Sequence, residues 1–271
     1  MTSTLPPRDW SDIGRLDLTG TDRARWIVVL PLAATEQHGP HLPLETDVLI
    51  AQAYLARVRE LLSDTAAVSF LPIERIGISS EHTDFPGTQT LSPEKAIHDW
   101  MALGESVAQA GPRKLVIVTS HGGNSAAMSL VAQELRTRRH MLVITTSWGR
   151  LSAPETMFPP EEIEHGIHGG AIETSIMLAR YGDQVRRETI ANFSPSTIAM
   201  KKNFRWLSAQ RPAPFAWQAQ DLHPSGAIGD ATLATAEKGE RLIDQGAKAF
   251  CELLAEIDRF DPEFLSDRPR P

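Results

Sequence analysis

Short β-branched apolar runs alternate with longer amphipathic stretches along most of this chain, and that alternation restricts the fold more than any other feature. It is the pattern of a parallel sheet layered with helices, an α/β architecture. Trp26–Ala34, Ala67–Pro72, Lys114–Thr119 and Leu142–Ser147 read as strands, near-continuously apolar as buried parallel strands are. Asp47–Leu62 carries Ile50, Tyr54, Val58 and Leu61 at helical spacing. Pro93–Ala110 follows a Ser92 N-cap with proline at the first helical position, and Ser125–Arg139 follows the turn at Gly122–Gly123. Further helices are expected from near Gly170 to about Tyr181 and over about Thr235–Phe260, the last with Ile243, Ala247, Phe250, Leu254 and Ile257 on one face. Ser152–Glu164 and Thr189–His223 read as long loops or short irregular elements, within a single domain over 1–271.

Composition limits the chemistry. With 27 basic and 34 acidic residues the formal charge is −7, which argues against a nucleic-acid binder. Cys251 is the single cysteine, so a thiolate-cluster zinc site and an internal disulfide are excluded, and any metal has to be held by carboxylates and the nine histidines. The stretch 1–10 has no signal-peptide character and no apolar run is long enough to span a bilayer. A cytoplasmic protein with no membrane partner is expected.

The histidines cluster where a parallel sheet binds its ligands, beyond the carboxyl ends of the strands. Thr35-Glu36-Gln37-His38-Gly39-Pro40-His41 follows the first strand, Asp47 opens the next helix, and Ser120-His121-Gly122-Gly123-Asn124 follows the third strand. Glu36 and His38, two apart in an extended segment, point to the same side. Carboxylate oxygen and neutral imidazole are the donors that zinc, manganese or iron accept without thiolates. A glycine-rich turn, His165-Gly166-Ile167-His168-Gly169-Gly170, leads into a helix whose first turns carry Glu173, and a polar loop, Ser79-Ser80-Glu81-His82, follows the second strand. Taken singly, each of these residues has a structural reading as a helix cap or a turn polar. Their convergence on one sheet edge favours a site.

Taken together, Glu-Gln-His-Gly-Pro-His-Leu-Pro-Leu-x-Thr-Asp (36–47), Ser-Glu-His (80–82) followed by Phe-Pro-Gly-Thr (85–88), His-Gly-Gly-Asn (121–124), His-Gly-Gly-x-x-Glu-Thr-Ser (168–175) and the segment Gly229–Gly239 resemble the creatininase (creatinine amidohydrolase) family. The resemblance implies a three-layer α/β/α sandwich with a mostly parallel central sheet, commonly assembled as a homohexamer. It also implies a centre of one or two divalent ions, zinc foremost, that hydrolyses a C–N bond of a small molecule. By position in the motifs Glu36, His38, Asp47 and His121 are implied metal ligands, Asp47 bridging. His168 matches the acid/base histidine, and Glu173 is a candidate ligand or catalytic group. Glu81, His82, Asn124 and Trp148 are candidate substrate contacts.

The chain departs from creatininase proper in one place. Two residues beyond the histidine of His-Gly-Gly-Asn that enzyme has a metal-binding glutamate, and this chain has Gly123. A second ion must then be held differently, through Glu173, or be absent, and creatinine is not the expected substrate. The expected reaction is hydrolysis of an amide, cyclic amide or formamide C–N bond other than a peptide bond, with metal-activated water. Ring opening of a cyclic ketone or lactone by the same centre is the alternative, and a non-catalytic metal-binding oligomeric scaffold is the alternative of another class.

Overall fold

The computed structural model describes residues 5–15, 17–18, 23–261 and 265; residues 1–4 of the N-terminal stretch lie outside them. Strands β1 (Ile27–Leu32), β2 (Val68–Phe70), β3 (Lys114–Thr119) and β4 (Leu142–Ser147) form one sheet in the order β2-β1-β3-β4, and every neighbouring pair is parallel. The helices between them are α1 (Thr46–Leu61), α2 (Pro93–Ala110) and α3 (Ser125–Arg139). Beyond β4 come α4 (Trp148–Leu151), α5 (Pro160–His165), α6 (Ala171–Arg180), β5 (Asn192–Phe193), α7 (Ser196–Lys201), β6 (Leu207–Ser208), β7 (Ala213–Pro214), α8 (Ala219–Leu222), β8 (Gly229–Asp230) and α9 (Ala236–Arg259).

Alternation along the two central strands builds the layers. Ile27 and Val29 of β1, with Val116 and Val118 of β3, face Tyr54 and Val58 of α1, Met177 of α6 and Phe250 and Leu254 of α9. Val28 and Leu30, with Leu115 and Ile117, face Trp100 and Val107 of α2 and Val131 and Leu135 of α3 on the opposite side. Both central strands are buried along their full length, which is why they read as unbroken apolar runs. The fold is thus the expected α/β/α sandwich.

Three details differ from the expectation. The second strand is three residues long, because its pairing with β1 breaks off after Leu71 and resumes only at a Leu32–Glu74 bridge. β4 is only half-buried apart from Thr146, since it lies at the sheet edge. The stretches expected as loops hold short helices, α5 in one and α7 and α8 in the other. Among the described residues no helix is long and apolar enough to cross a membrane.

The strand order creates the site. From β1 the chain moves to β2 on one side, then returns to β3 on the other, so the segments leaving β1 and β3 diverge and open a crevice at the carboxyl edge. Helix α6, which carries Glu173, is set at this edge by a close crossing with α9. A Cβ on Gly239 would collide with the Ser175 carbonyl, and the Ser175 hydroxyl accepts from the Thr235 N–H at 3.2 Å. Gly239→Ala is expected to destabilise the protein by about 1–3 kcal/mol, the usual cost of overpacking, read as a lowered urea midpoint. An unchanged midpoint would mean that the crossing relaxes freely.

Candidate metal centre

Five of the residues singled out in the sequence meet at the crevice with their donor atoms aimed at each other. His121 Nδ1 lies 3.1 Å from Glu36 Oε1 and 3.7 Å from Asp47 Oδ2. His38 Nε2 lies 3.7 Å from Asp47 Oδ2 and 3.9 Å from Glu173 Oε2. Glu36, Asp47 and His121 form one group of mutually close donors, and His38, Asp47 and Glu173 form another. Asp47 is common to both. A third close group joins Glu36, His38 and His168.

The backbone dictates which nitrogen of each ring faces the site. A carbonyl oxygen only accepts, so a ring nitrogen facing one must carry the proton. His38 donates from Nδ1 to the Glu36 carbonyl at 3.0 Å, leaving Nε2 bare between Asp47 and Glu173. His121 donates from Nε2 to the Ile78 carbonyl at 2.7 Å, which leaves Nδ1 facing Glu36 and Asp47. His168 donates from Nε2 to the Gln37 carbonyl at 2.6 Å, so its Nδ1 faces Glu36 Oε1 at 3.6 Å. Carbonyls in this outer position orient metal-ligating histidines.

The donor set fits a cation. Both Glu36 oxygens, Asp47 Oδ2 and His38 Nε2 are buried without a hydrogen-bond partner. Orphaned buried carboxylates are costly unless a positive charge meets them. Burial would lower His121, but Glu36 and then Asp47 and Glu81 outweigh it and lift its pKa to about 10. Burial would likewise raise Glu36, but His121, His168 and His82 hold it below the usual carboxylate range. Burial, with Glu36 adding repulsion, pushes Asp47 well above that range; burial also raises Glu173 and drives His38 well below the usual imidazole value. In the metal-free protein a proton on His121 therefore supplies the positive charge that the carboxylates require.

The remaining predicted residues divide. His82 accepts from Gln37 Nε2 at 2.7 Å and turns its Nε2–H towards Glu36 at 3.5 Å; burial, then His168, lowers its pKa to about 3. It lines the inner wall with 1 % exposure. Glu81 is partly exposed at the outer side of His121, 3.6 Å from Nε2. Asn124 and Trp148, expected to touch substrate, do not present themselves to the crevice. Asn124 is fully buried, its amide donating to the Ala33 carbonyl and Thr119 Oγ1 and accepting from the Ile78 N–H, so it ties the segments beyond β1 and β2 to the end of β3. Trp148 is stacked on Tyr54 at 4.7 Å and packed against Phe250 in the core, where it has no free face.

Gly123 has a steric reason. A Cβ there would collide with His121 Nε2 and the Ile78 carbonyl and lie 2.9 Å from Glu81 Oε1. A side chain at 123 and the His121–Ile78 hydrogen bond exclude each other. The carboxylate beside the second group comes instead from Glu173, fixed because the Gly169 N–H donates to its Oε2 at 2.6 Å. Gly169 has φ +61°, a conformation that favours glycine and aims that N–H at the carboxylate. Glu162, which sequence reasoning left inside a loop, is also buried behind this turn.

A sequence model of the creatininase (creatinine amidohydrolase) family matches residues 11–254. The chain belongs to the creatininase family. It is 27% identical over 246 residues to the creatinine amidohydrolase of Pseudomonas putida, covering 85% of this chain and 89% of that protein. It is 30% identical over 229 residues to the mycofactocin precursor peptide peptidase of Mycobacterium tuberculosis strain H37Rv, covering 80% of this chain and 79% of the relative. A mutant creatininase solved in a Zn–Zn form superposes with a TM-score of 0.69 at 25% identity, over 87% of this chain and 92% of the other. This creatininase-family member is a metal-dependent amidohydrolase whose cofactor is a divalent metal ion.

Because His121 retains a proton far above neutrality in the metal-free state and Asp47 and Glu173 are raised as well, zinc uptake must displace protons. Calorimetric titration at pH 7 in buffers of differing ionisation enthalpy should show release of about one proton or more per chain. Apparent affinity should fall as the pH is lowered. Uptake without proton release would exclude His121 as a ligand.

Proposed function

We propose that this amidohydrolase cleaves the C–N bond of a small amide, cyclic amide or formamide at a two-ion centre. Glu36, Asp47 and His121 would hold one ion and His38, Asp47 and Glu173 the second, with Asp47 common to both sets. The observation that supports the reading is the convergence of donor atoms from these five residues into two groups sharing Asp47, with the atoms of Glu36, His38 and Asp47 buried and unpartnered. Divalent ions bound there lower the pKa of a water and polarise the amide oxygen.

The protein's own part is orientation and proton transfer. His168, whose Nε2–H is committed to the Gln37 carbonyl, has only Nδ1 available to take a proton and return it to the leaving nitrogen. Its ring is held between His38 and His82, with centroids 4.1 and 4.2 Å away, so Nδ1 stays aimed at the Glu36 side. The Glu81 and Glu173 side chains, 20 % and 21 % exposed, mark where the centre opens and are the substrate-facing carboxylates in this reading. His82 supports the wall behind them.

The relatives favour amide chemistry, one being named for creatinine and the other for a peptide precursor. The second name supports a second reading, in which the amide is a peptide bond. Parallel assays on lactams, formamides and short peptides separate these readings, with lactones testing ring opening of an ester. We further propose a cytoplasmic homo-oligomer, a hexamer; the exposed Phe204, Trp206 and Leu207 support a subunit contact in the 189–223 region.

Glu36→Ala and Asp47→Ala are expected to lose bound metal, and full occupancy by elemental analysis would remove them as ligands. His168→Ala should keep its metal and lose turnover by roughly 10²–10⁴-fold. Loss of metal in that variant would make His168 a ligand through the Glu36–His38–His168 group, and unchanged turnover would remove it from the reaction.

A further inference from the structure

The segment that carries His168 and Glu173 is held by a carboxylate outside the metal centre. We infer that Glu162 is the positioning residue for the second ion site, acting through the turn that presents Glu173. This inference rests on the reading of Glu173 as a ligand of that site.

Glu162 belongs to α5 and is 5 % exposed. Its Oε1 accepts from the Ala171 N–H at 2.7 Å, the first amide of α6, and its Oε2 accepts from the Asp230 N–H of β8 at 2.7 Å. Between these two bonds lies the clasp that fixes His168. The Ile167 and His168 amides donate to the Ile228 carbonyl at 2.8 and 3.1 Å, and the Ile228 amide donates back to the His168 carbonyl at 2.6 Å. One carboxylate therefore closes both free ends of the 166–171 and 228–230 pairing. Glu173 lies two residues beyond Ala171 in the first turn of α6, and its own carboxylate is bound to Gly169 within the bracketed segment.

The surroundings are built to this carboxylate. A Cβ on Gly166 would collide with Glu162 Oε1, and Cβ atoms on Gly170 and Gly229 would approach it to 2.5 and 2.9 Å. Three glycines from the two clasped strands thus leave room for a side chain that arrives from α5. The chemistry also requires a carboxylate rather than an isosteric amide. Two N–H groups approach from different sides, one to each oxygen, and glutamine would turn an NH₂ against one of them. No ion pair involving Glu162 occurs among the described residues, so its function is served by the two amides alone. Neither Glu162 nor its two bonds touches the donors of the first ion group, which sit on the segments after β1 and β3.

The test is zinc binding to the full chain, followed by calorimetry and elemental analysis after dialysis, with circular dichroism confirming the fold. Wild type is expected to take two zinc ions. Glu162→Gln should keep one within about 3-fold of wild-type affinity and weaken the other by roughly 10–100-fold, the usual effect of losing a group that orients a ligand. Gly166→Ala, at an ordinary backbone angle but pressing its methyl on Oε1, should produce the same one-site loss and carries the test if Glu162→Gln fails to fold. A general packing defect would instead weaken both sites together, and that result overturns the inference. Glu173→Ala separates the two levels. If it still binds two ions, the underlying assignment fails. If it loses one while Glu162→Gln or Gly166→Ala keeps both at wild-type affinity, the Glu162 inference alone fails.

Discussion

Two carboxylates, Glu36 and Asp47, lie buried and faced by imidazole nitrogens, and the rest of the site follows from the need to neutralise them. Their desolvation is tolerable only beside positive charge. The chain places imidazoles there with one nitrogen of each spent on a backbone carbonyl, so the other nitrogen is turned into the site, where His121 carries the balancing proton in the metal-free protein. Either protons or divalent ions can complete such a set. The architecture serves the same end: a parallel sheet with a switch in strand order delivers both carboxylates and three rings to one edge, and helices on both faces keep water from the base of the crevice.

Much of this is legible in the sequence because it depends on local pattern. Unbroken apolar runs announced β1 and β3, and the polar residues immediately after them had to emerge at the same edge of a parallel sheet. Glu36, His38 and His121 follow from that placement, and Asp47, at the start of α1, from the motif it shares with the creatininase family. Where the pattern weakens, so does the reading: β4 has the composition of a buried strand but sits at the edge, where a single neighbour leaves it half exposed.

The residues misjudged from sequence are those whose role depends on contacts across distant segments. Asn124 looks like a substrate group beside His121, but its three hydrogen bonds join the segments beyond β1 and β2 to the end of β3. Trp148 stands at the end of β4, where a side chain could face the crevice or the core, and Tyr54 and Phe250 draw it inward. Glu162 sits in an acidic, proline-rich stretch that reads as solvated, and only the fold brings the Ala171 and Asp230 amides to it. Gly123 is the instructive case. At this position a glycine makes room for the His121–Ile78 bond, and the carboxylate that stands beside His38 and Asp47 is that of Glu173 from α6.

The central claim is that Asp47 is shared between two ion sites built from Glu36 and His121 on one side and His38 and Glu173 on the other. Anomalous diffraction at the zinc edge from crystals of the zinc-loaded protein tests it most directly. Two peaks about 3.5–4 Å apart on either side of Asp47 are predicted, the spacing of two-ion centres. A single peak bounded by Glu36, His38 and His168, with Glu173 unligated, would contradict it.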